Sequence, residues 1–219
     1  IGGGLAGTSC AWVLRQQGLH PVIFEKEACL AAGASGNEIG LYNPRFTAQH
    51  CPESAFYTAA FAQAVRTLGT LSTRHAIGFD PSGALHLANS PEKAKRFAAL
   101  KESWGWHEDH LRLLTAAQAM EEAGVPLKHD ALFLPDSGSV SPAALCAAYA
   151  EGVEVRLATP VDALAPGMVN GEHFDAVILA SAFATKEFGG LSWLPLHTVR
   201  GQTSTVTASS ASAALRRNL

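Results

Sequence analysis

Gly2, Gly4 and Gly7 in the opening stretch Ile1-Gly2-Gly3-Gly4-Leu5-Ala6-Gly7 stand at the G-x-G-x-x-G spacing. Each glycine has a separate job in a turn that holds a dinucleotide pyrophosphate: Gly2 for the tight turn off a strand, Gly4 for close backbone approach, Gly7 for packing helix on strand. A helix beginning at Leu5 and Ala6 offers unpaired N–H groups and its positive end to a phosphate. Val22-Ile23-Phe24-Glu25 is a short apolar run ending in an acid. There a second strand would present the Glu25 carboxylate to a ribose hydroxyl, with Lys26 beside it. The plain alternative is a glycine turn before an ordinary helix.

The elements that position these residues follow from pattern. Ala6 to Gln17 reads as a helix with Gly18 as its stop, and Pro21 to Glu25 as the second strand. Residues 26–48 form a loop dense in small residues, among them Ala34, Ser35, Gly36, Asn37 and Gly40. An irregular stretch of that length is more often functional than connecting. A helix is expected from Glu53 to Leu68, ended by Gly69, then strands at Ile77 to Asp80 and Ala84 to Ala88. Ser90 before Pro91 caps a helix to about Trp104, Thr115-x-x-Gln118 is a capping box for a helix to Ala123, and Ser141 before Pro142 caps one to Ala150. Short strands are expected at Ala131 to Leu134, Val153 to Leu157 and Pro160 to Leu164. Ala176 to Ala180 is a continuous apolar run, expected as a parallel strand buried on both faces. His197 to Thr207 alternates like an antiparallel strand.

With 219 residues, 47% hydrophobic and 16% charged, the chain is globular, large enough for one domain or two interleaved ones, and without an apolar run that could span a membrane. A soluble, cytoplasmic protein is expected. The net charge of −3 argues against a surface wholly given to nucleic acid but leaves room for a local basic patch. Cys10, Cys29, Cys51 and Cys146 form no C-x-x-C pair, so idle thiols are expected, and the histidines show no ligand spacing, so no metal site is. Ile1 reads as the last residue of a strand and the tail to Leu219 lacks a closing element, so a fragment shortened at both ends is expected.

The fingerprint, the loop Gly33-Ala34-Ser35-Gly36-Asn37-Glu38-Ile39-Gly40-Leu41-Tyr42-Asn43-Pro44 and Val199-Arg200-Gly201-Gln202 together resemble the D-amino-acid-oxidase and glycine-oxidase superfamily of flavoproteins. More narrowly, Ser82-Gly83-Ala84-Leu85-His86-Leu87-Ala88, Leu134-Pro135-Asp136-Ser137-Gly138 and Ser54-Ala55-Phe56-Tyr57 resemble the FAD-dependent domains of the bifunctional tRNA 5-methylaminomethyl-2-thiouridine biosynthesis proteins. The resemblance runs over essentially the whole chain. It implies an α/β fold: a Rossmann-like FAD-binding βαβ domain (1–70 and 135–195) interleaved with an α+β substrate domain (71–134 and 196–219).

The resemblance also implies the site. FAD would be held by Gly2, Gly4, Leu5, Ala6 and Gly7 at the pyrophosphate, Glu25 and Lys26 at the ribose, Ala34, Ser35, Gly36, Asn37 and Gly40 toward the flavin, and Val161 at the adenine. The implied reaction is oxidation of the carboxymethylaminomethyl group of the tRNA wobble uridine, leaving an aminomethyl group once the imine hydrolyses. A methyltransferase domain fused upstream would be the partner, and tRNA the substrate. Arg45 and Arg200 are the candidate clamps for the glycyl carboxylate, and no side chain is singled out as catalytic. Two other readings stay open: an FAD-dependent oxidase of a free small amine such as glycine or sarcosine, and a non-catalytic flavoprotein fragment. The chain departs from the family pattern at Ser181-Ala182-Phe183-Ala184, where Asn or Gly is commoner, and shows no later glycine-rich flavin segment. Lys93, Lys95, Arg96 and Lys101 crowd one helix, as a solvated face or as contacts to tRNA phosphates.

Overall fold

The structure, a computed structural model, describes residues 1–46 and 51–219. The first half of the chain runs α1 (Leu5–Gln16), β1 (Val22–Phe24), β2 (Gly40–Tyr42), α2 (Pro52–Ser72), β3 (Ala84–Leu87), α3 (Pro91–Trp104) and β4 (Arg112–Leu114). It continues with α4 (Ala116–Ala123), β5 (Ala131–Leu134), β6 (Gly138–Val140), α5 (Pro142–Ala150), β7 (Glu154–Arg156), β8 (Leu164–Ala165), β9 (Met168–Val169) and β10 (Glu172–His173). These divide into two compact units, one of Ile1–Glu38 with Ser141–Ser204, the other of Ile39–Val140 with Thr205–Leu219. The borders differ from those expected at 70, 134 and 195. Residues 40–42 pair with 138–140 and carry the start of the second unit back to residue 39, so α2 belongs to that unit.

The first unit is the βαβ frame. β1 pairs in parallel with β7, Val22 opposite Glu154 and Phe24 opposite Arg156. On the other side, Gly2 N donates to the Phe24 carbonyl, and Ala180 N to the Ile1 carbonyl. The strand-like order is therefore 178–180, 1–2, β1, β7. α1 and α5 pack on each other, and Ala11, Ile23 and Ala150 form a small core with Leu30, Val153 and Val155. α5 is apolar all round its circumference, with Leu145, Cys146, Ala148 and Tyr149 buried, as a helix in an interior must be. Ser141 accepts a hydrogen bond from Ala144 N, the expected cap. Residues 176–180 correct the expectation of a strand buried on both faces. They bond the backbone only at Ile1, no ladder is assigned, and Ile178 is 43% exposed. A short antiparallel meander in the order β10-β9-β8 follows, and β8, Leu164–Ala165, shares only Leu164 with the strand expected over 160–164.

The second unit is built on β5, whose four residues are all buried and which lies between β3 and β4. Alternation divides its side chains between two cores. Leu132 and Leu134 pack with Leu100, Trp104 and Leu111 on the α3 side, while Ala131 and Phe133 pack with Leu85, Ala119 and Ala123 on the α4 side. The caps read from sequence are present: Ser90 accepts from Lys93 N, and Thr115 and Gln118 form the capping box. Gly69 does not stop α2. The helix runs on to Ser72, because Leu71, one turn beyond Leu68, is also buried and holds that turn in place. Of the strand expected at 77–80, only a bridge between Asp80 and Ser139 is present. The stretch 197–207 forms no ladder, and Val199 and Val206 are left almost fully exposed.

Candidate cofactor site

A cavity of about 920 Å³ opens in the first unit, at the end of β1 and the start of α1. Its floor is Gly2 to Ala6, one wall is Phe24 to Glu27, another Ala32 to Ser35, and the rest comes from residues 159–165 and 180–189. The glycines are fixed by geometry. Gly2 has φ +111, and a Cβ there would meet the Ala180 carbonyl oxygen at 2.5 Å. A Cβ on Gly7 would overlap the Gly2 carbonyl oxygen, so helix and turn close together only without a side chain. Gly3 is crowded too, though by side-chain atoms rather than backbone, since its Cβ would press on Leu30 and on Glu25 Oε2. Sequence reasoning missed it because the fingerprint leaves that position open.

α1 begins without a side-chain cap of its own, Gly4 being the N-cap. Of its first N–H groups, Leu5 N donates to the Ser35 hydroxyl at 3.0 Å. Gly4 N and Ala6 N, both in the cavity floor, have no protein acceptor among the described residues. Unsatisfied donors at the positive end of a helix, bordering a cavity, fit a bound phosphate group. Glu25 completes the floor: Oε2 accepts from Gly3 N at 2.6 Å and Oε1 from Glu27 N at 2.9 Å. Thus the carboxylate already braces the turn while facing the cavity.

Ala34, Ser35 and Gly36 form a 3-10 turn beside α5, and a Cβ at Gly36 would meet the Ala31 carbonyl oxygen at 2.5 Å. Asn37 follows, exposed, and Gly40 lies in β2 of the second unit opposite Val140. Lys26 borders the cavity, 3.9 Å from Glu27. Val161 borders it too, and neither its N–H nor its carbonyl has a protein partner among the described residues. The segment before it is anchored by Ala158 N to the Glu27 carbonyl and Thr159 N to the Glu25 carbonyl, and Asn170 ties Pro160, Asp162 and Ala163 together. Leu164 and Met168 of the meander and Ala182, at φ +50, also line the cavity.

Arg200 is not among the residues that line the cavity. Arg45, in the second unit, is 3.8 Å from Glu53 and lies over the Tyr57 ring at 4.7 Å. Arg200 lies in the exposed stretch that forms no ladder. Burial pushes the Cys146 thiol up, against a smaller opposing hydrogen bond to Thr8, as befits an idle thiol.

Comparison with known proteins decides the class of the site. Residues 1–218 match the FAD dependent oxidoreductase family. The chain belongs to that family. Its cofactor is therefore FAD, and the expected α/β fold is the family's. Curated relatives include the tRNA 5-methylaminomethyl-2-thiouridine biosynthesis bifunctional protein MnmC of Magnetococcus marinus, 30% identical over 95% of this chain. MnmC of Pseudomonas syringae pv. tomato is 32% identical over 99% of it. The chain spans only about a third of these relatives, 33% and 34% of their lengths. Among solved structures, glycine oxidase from Geobacillus kaustophilus superposes with a TM-score of 0.60 at 25% identity, over 73% of this chain and 46% of the oxidase.

Proposed function

We propose that this chain is the FAD-binding part of a tRNA-modifying oxidoreductase. It would oxidise the carboxymethylaminomethyl group of the wobble uridine at the carbon next to nitrogen, leaving an aminomethyl group after imine hydrolysis. The observation that carries the cofactor half is the floor of the cavity, where Gly4 N and Ala6 N are unpaired beside the braced Glu25 carboxylate. Relatives named for tRNA 5-methylaminomethyl-2-thiouridine biosynthesis, similar over 95% and 99% of the chain, support the substrate half.

In this reading Gly2, Gly4, Leu5, Ala6 and Gly7 bind the pyrophosphate, Ser35 trading its bond to Leu5 N for one to a phosphate oxygen. Glu25 accepts from the ribose hydroxyls with the lone pairs its backbone donors leave free, Lys26 stands beside it, and the free N–H and carbonyl of Val161 meet the adenine edge. Ala34, Gly36, Asn37 and Gly40 keep the chain slim toward the flavin. FAD, when bound, would accept the hydride that leaves the C–H bond of the substrate carbon next to nitrogen, the C–N bond becoming C=N. The chain's own residues hold, orient and exclude water. Arg45 and Arg200 are proposed for the glycyl carboxylate, and the second unit for the substrate side. A fused methyltransferase domain and a cytoplasmic setting belong to the same reading.

The test incubates the chain with FAD and tRNA carrying the carboxymethylaminomethyl group, followed by nucleoside analysis. Conversion to aminomethyl-uridine, with free glycine turned over far more slowly, is expected. Glycine turnover as fast as that of modified tRNA would overturn the substrate assignment, and a protein that takes up no FAD would leave only the non-catalytic reading.

A further inference from the structure

One end of the second unit carries cations that form no ion pair among the described residues. Most other basic side chains are committed. Arg112 and Arg217 share Glu122, Arg156 pairs with Glu154 and Glu172, and Lys101 donates to the carbonyls of Trp106 and Leu111. In contrast, Lys93, Lys95 and Arg96 on α3 and Lys128 before β5 are exposed, and none has an ion-pair partner among the described residues.

The fold brings the four to one end. β3 leads through Ser90 directly into α3, and Ala88 N donates to the Asp130 carbonyl, so residues 128–130 run beside the start of that helix. The acids nearby are engaged: Glu92 is held by its own backbone N–H and the Ser90 hydroxyl, and Asp130 accepts from Ala116 N. Burial, and then the charge of Lys93, lowers the His86 imidazole below its ordinary pKa.

These positions are costly for the helix. The first turn of a helix favours acids, because the macrodipole is positive there, yet α3 sets Lys93 in it beside Glu92 and follows with Lys95 and Arg96 in the next turn. Positive charge set against local stability, unpaired, on a chain of net charge −3, calls for a polyanion from outside. We infer that Lys93, Lys95, Arg96 and Lys128 form a docking surface for the phosphodiester backbone of the RNA substrate, a surface that rests on the tRNA reading above. Such cations act through phosphate charge and displaced counterions, without reading bases.

The test measures the affinity of the FAD-loaded chain for modified tRNA across a salt series, wild type against Lys93→Gln/Lys95→Gln/Arg96→Gln/Lys128→Gln. We expect binding at least about tenfold weaker near 0.1 M salt and the slope of log K on log salt reduced by about 3. FAD uptake should be unchanged, and the thermal midpoint equal or higher because the helix terminus is relieved of repulsion. If wild type binds and the variant shows the same affinity and slope, this surface is refuted and the tRNA reading stands. If wild type does not bind tRNA at low salt, both fall. Retained tRNA binding with lost binding of polyglutamate would reassign the face to an acidic protein segment.

Discussion

Gly4 and Glu25 carry the account at the scale of single residues. A Cβ on Gly4 would already sit 3.0 Å from Ser35 Oγ, and valine would fill the approach to the unpaired N–H groups. Gly4→Val should therefore abolish FAD retention, as measured by flavin absorbance after desalting, with secondary structure unchanged. Glu25→Gln places an amide where two backbone donors, and in the proposed reading the ribose, meet a carboxylate. Losing one charge-assisted hydrogen bond costs about 1.5–3 kcal/mol, so FAD affinity should fall at least tenfold in a fluorescence titration. Tyr42 is a different case. Its hydroxyl is buried against Gly138 with no hydrogen-bond partner among the described residues, and burial, followed by the charges of Asp80 and Asp136, pushes its pKa up to about 12. The unfolded chain ionises this group at a lower pH than the folded one does. Stability is thus unaffected below about pH 10 and falls between about 10 and 12. Tyr42→Phe should remove that alkaline slope in urea melts at successive pH values, with little loss at neutral pH.

At the scale of elements, the sequence was most readable where a local group decides the structure. Ser90-Pro91, Thr115-x-x-Gln118 and Ser141-Pro142 each start a helix at the expected residue, since a cap acts within one turn. It was least readable where distant partners decide. Gly69 looks like a stop, but burial of Leu71 carries α2 past it. Gly69 has a negative φ, and a methyl group there would meet no atom within 4 Å. Gly69→Ala should therefore stabilise the second unit by about 0.5–1 kcal/mol in chemical denaturation. The apolar run 176–180 has the composition of a buried strand but lacks the neighbours that would bury it, and residues 197–207 alternate without a ladder to join. β5 shows the opposite. Four buried residues serve two cores, and the Phe133 ring lies under the guanidinium groups of Arg112 and Arg217, at 4.8 and 5.5 Å. Phe133→Ala should destabilise the second unit by about 3–5 kcal/mol.

For the molecule as a whole, the glycine fingerprint and the acid after β1 pointed to residues that line one cavity, because that motif encodes its own backbone geometry. Gly3, the meander residues Leu164 and Met168, and Ala182 were not legible. They reach the cavity through packing of segments far apart in sequence. Membership of the FAD dependent oxidoreductase family fixes the cofactor, and the site is built at the floor where the ADP portion would lie. The central claim is that this floor binds FAD. The most direct measurement is a titration of the purified chain with FAD, followed by flavin absorbance and fluorescence, with Gly4→Val in parallel. Saturable uptake of one FAD per wild-type chain and none by the variant is predicted; a wild-type chain that remains colourless, or a variant that binds equally well, would contradict it.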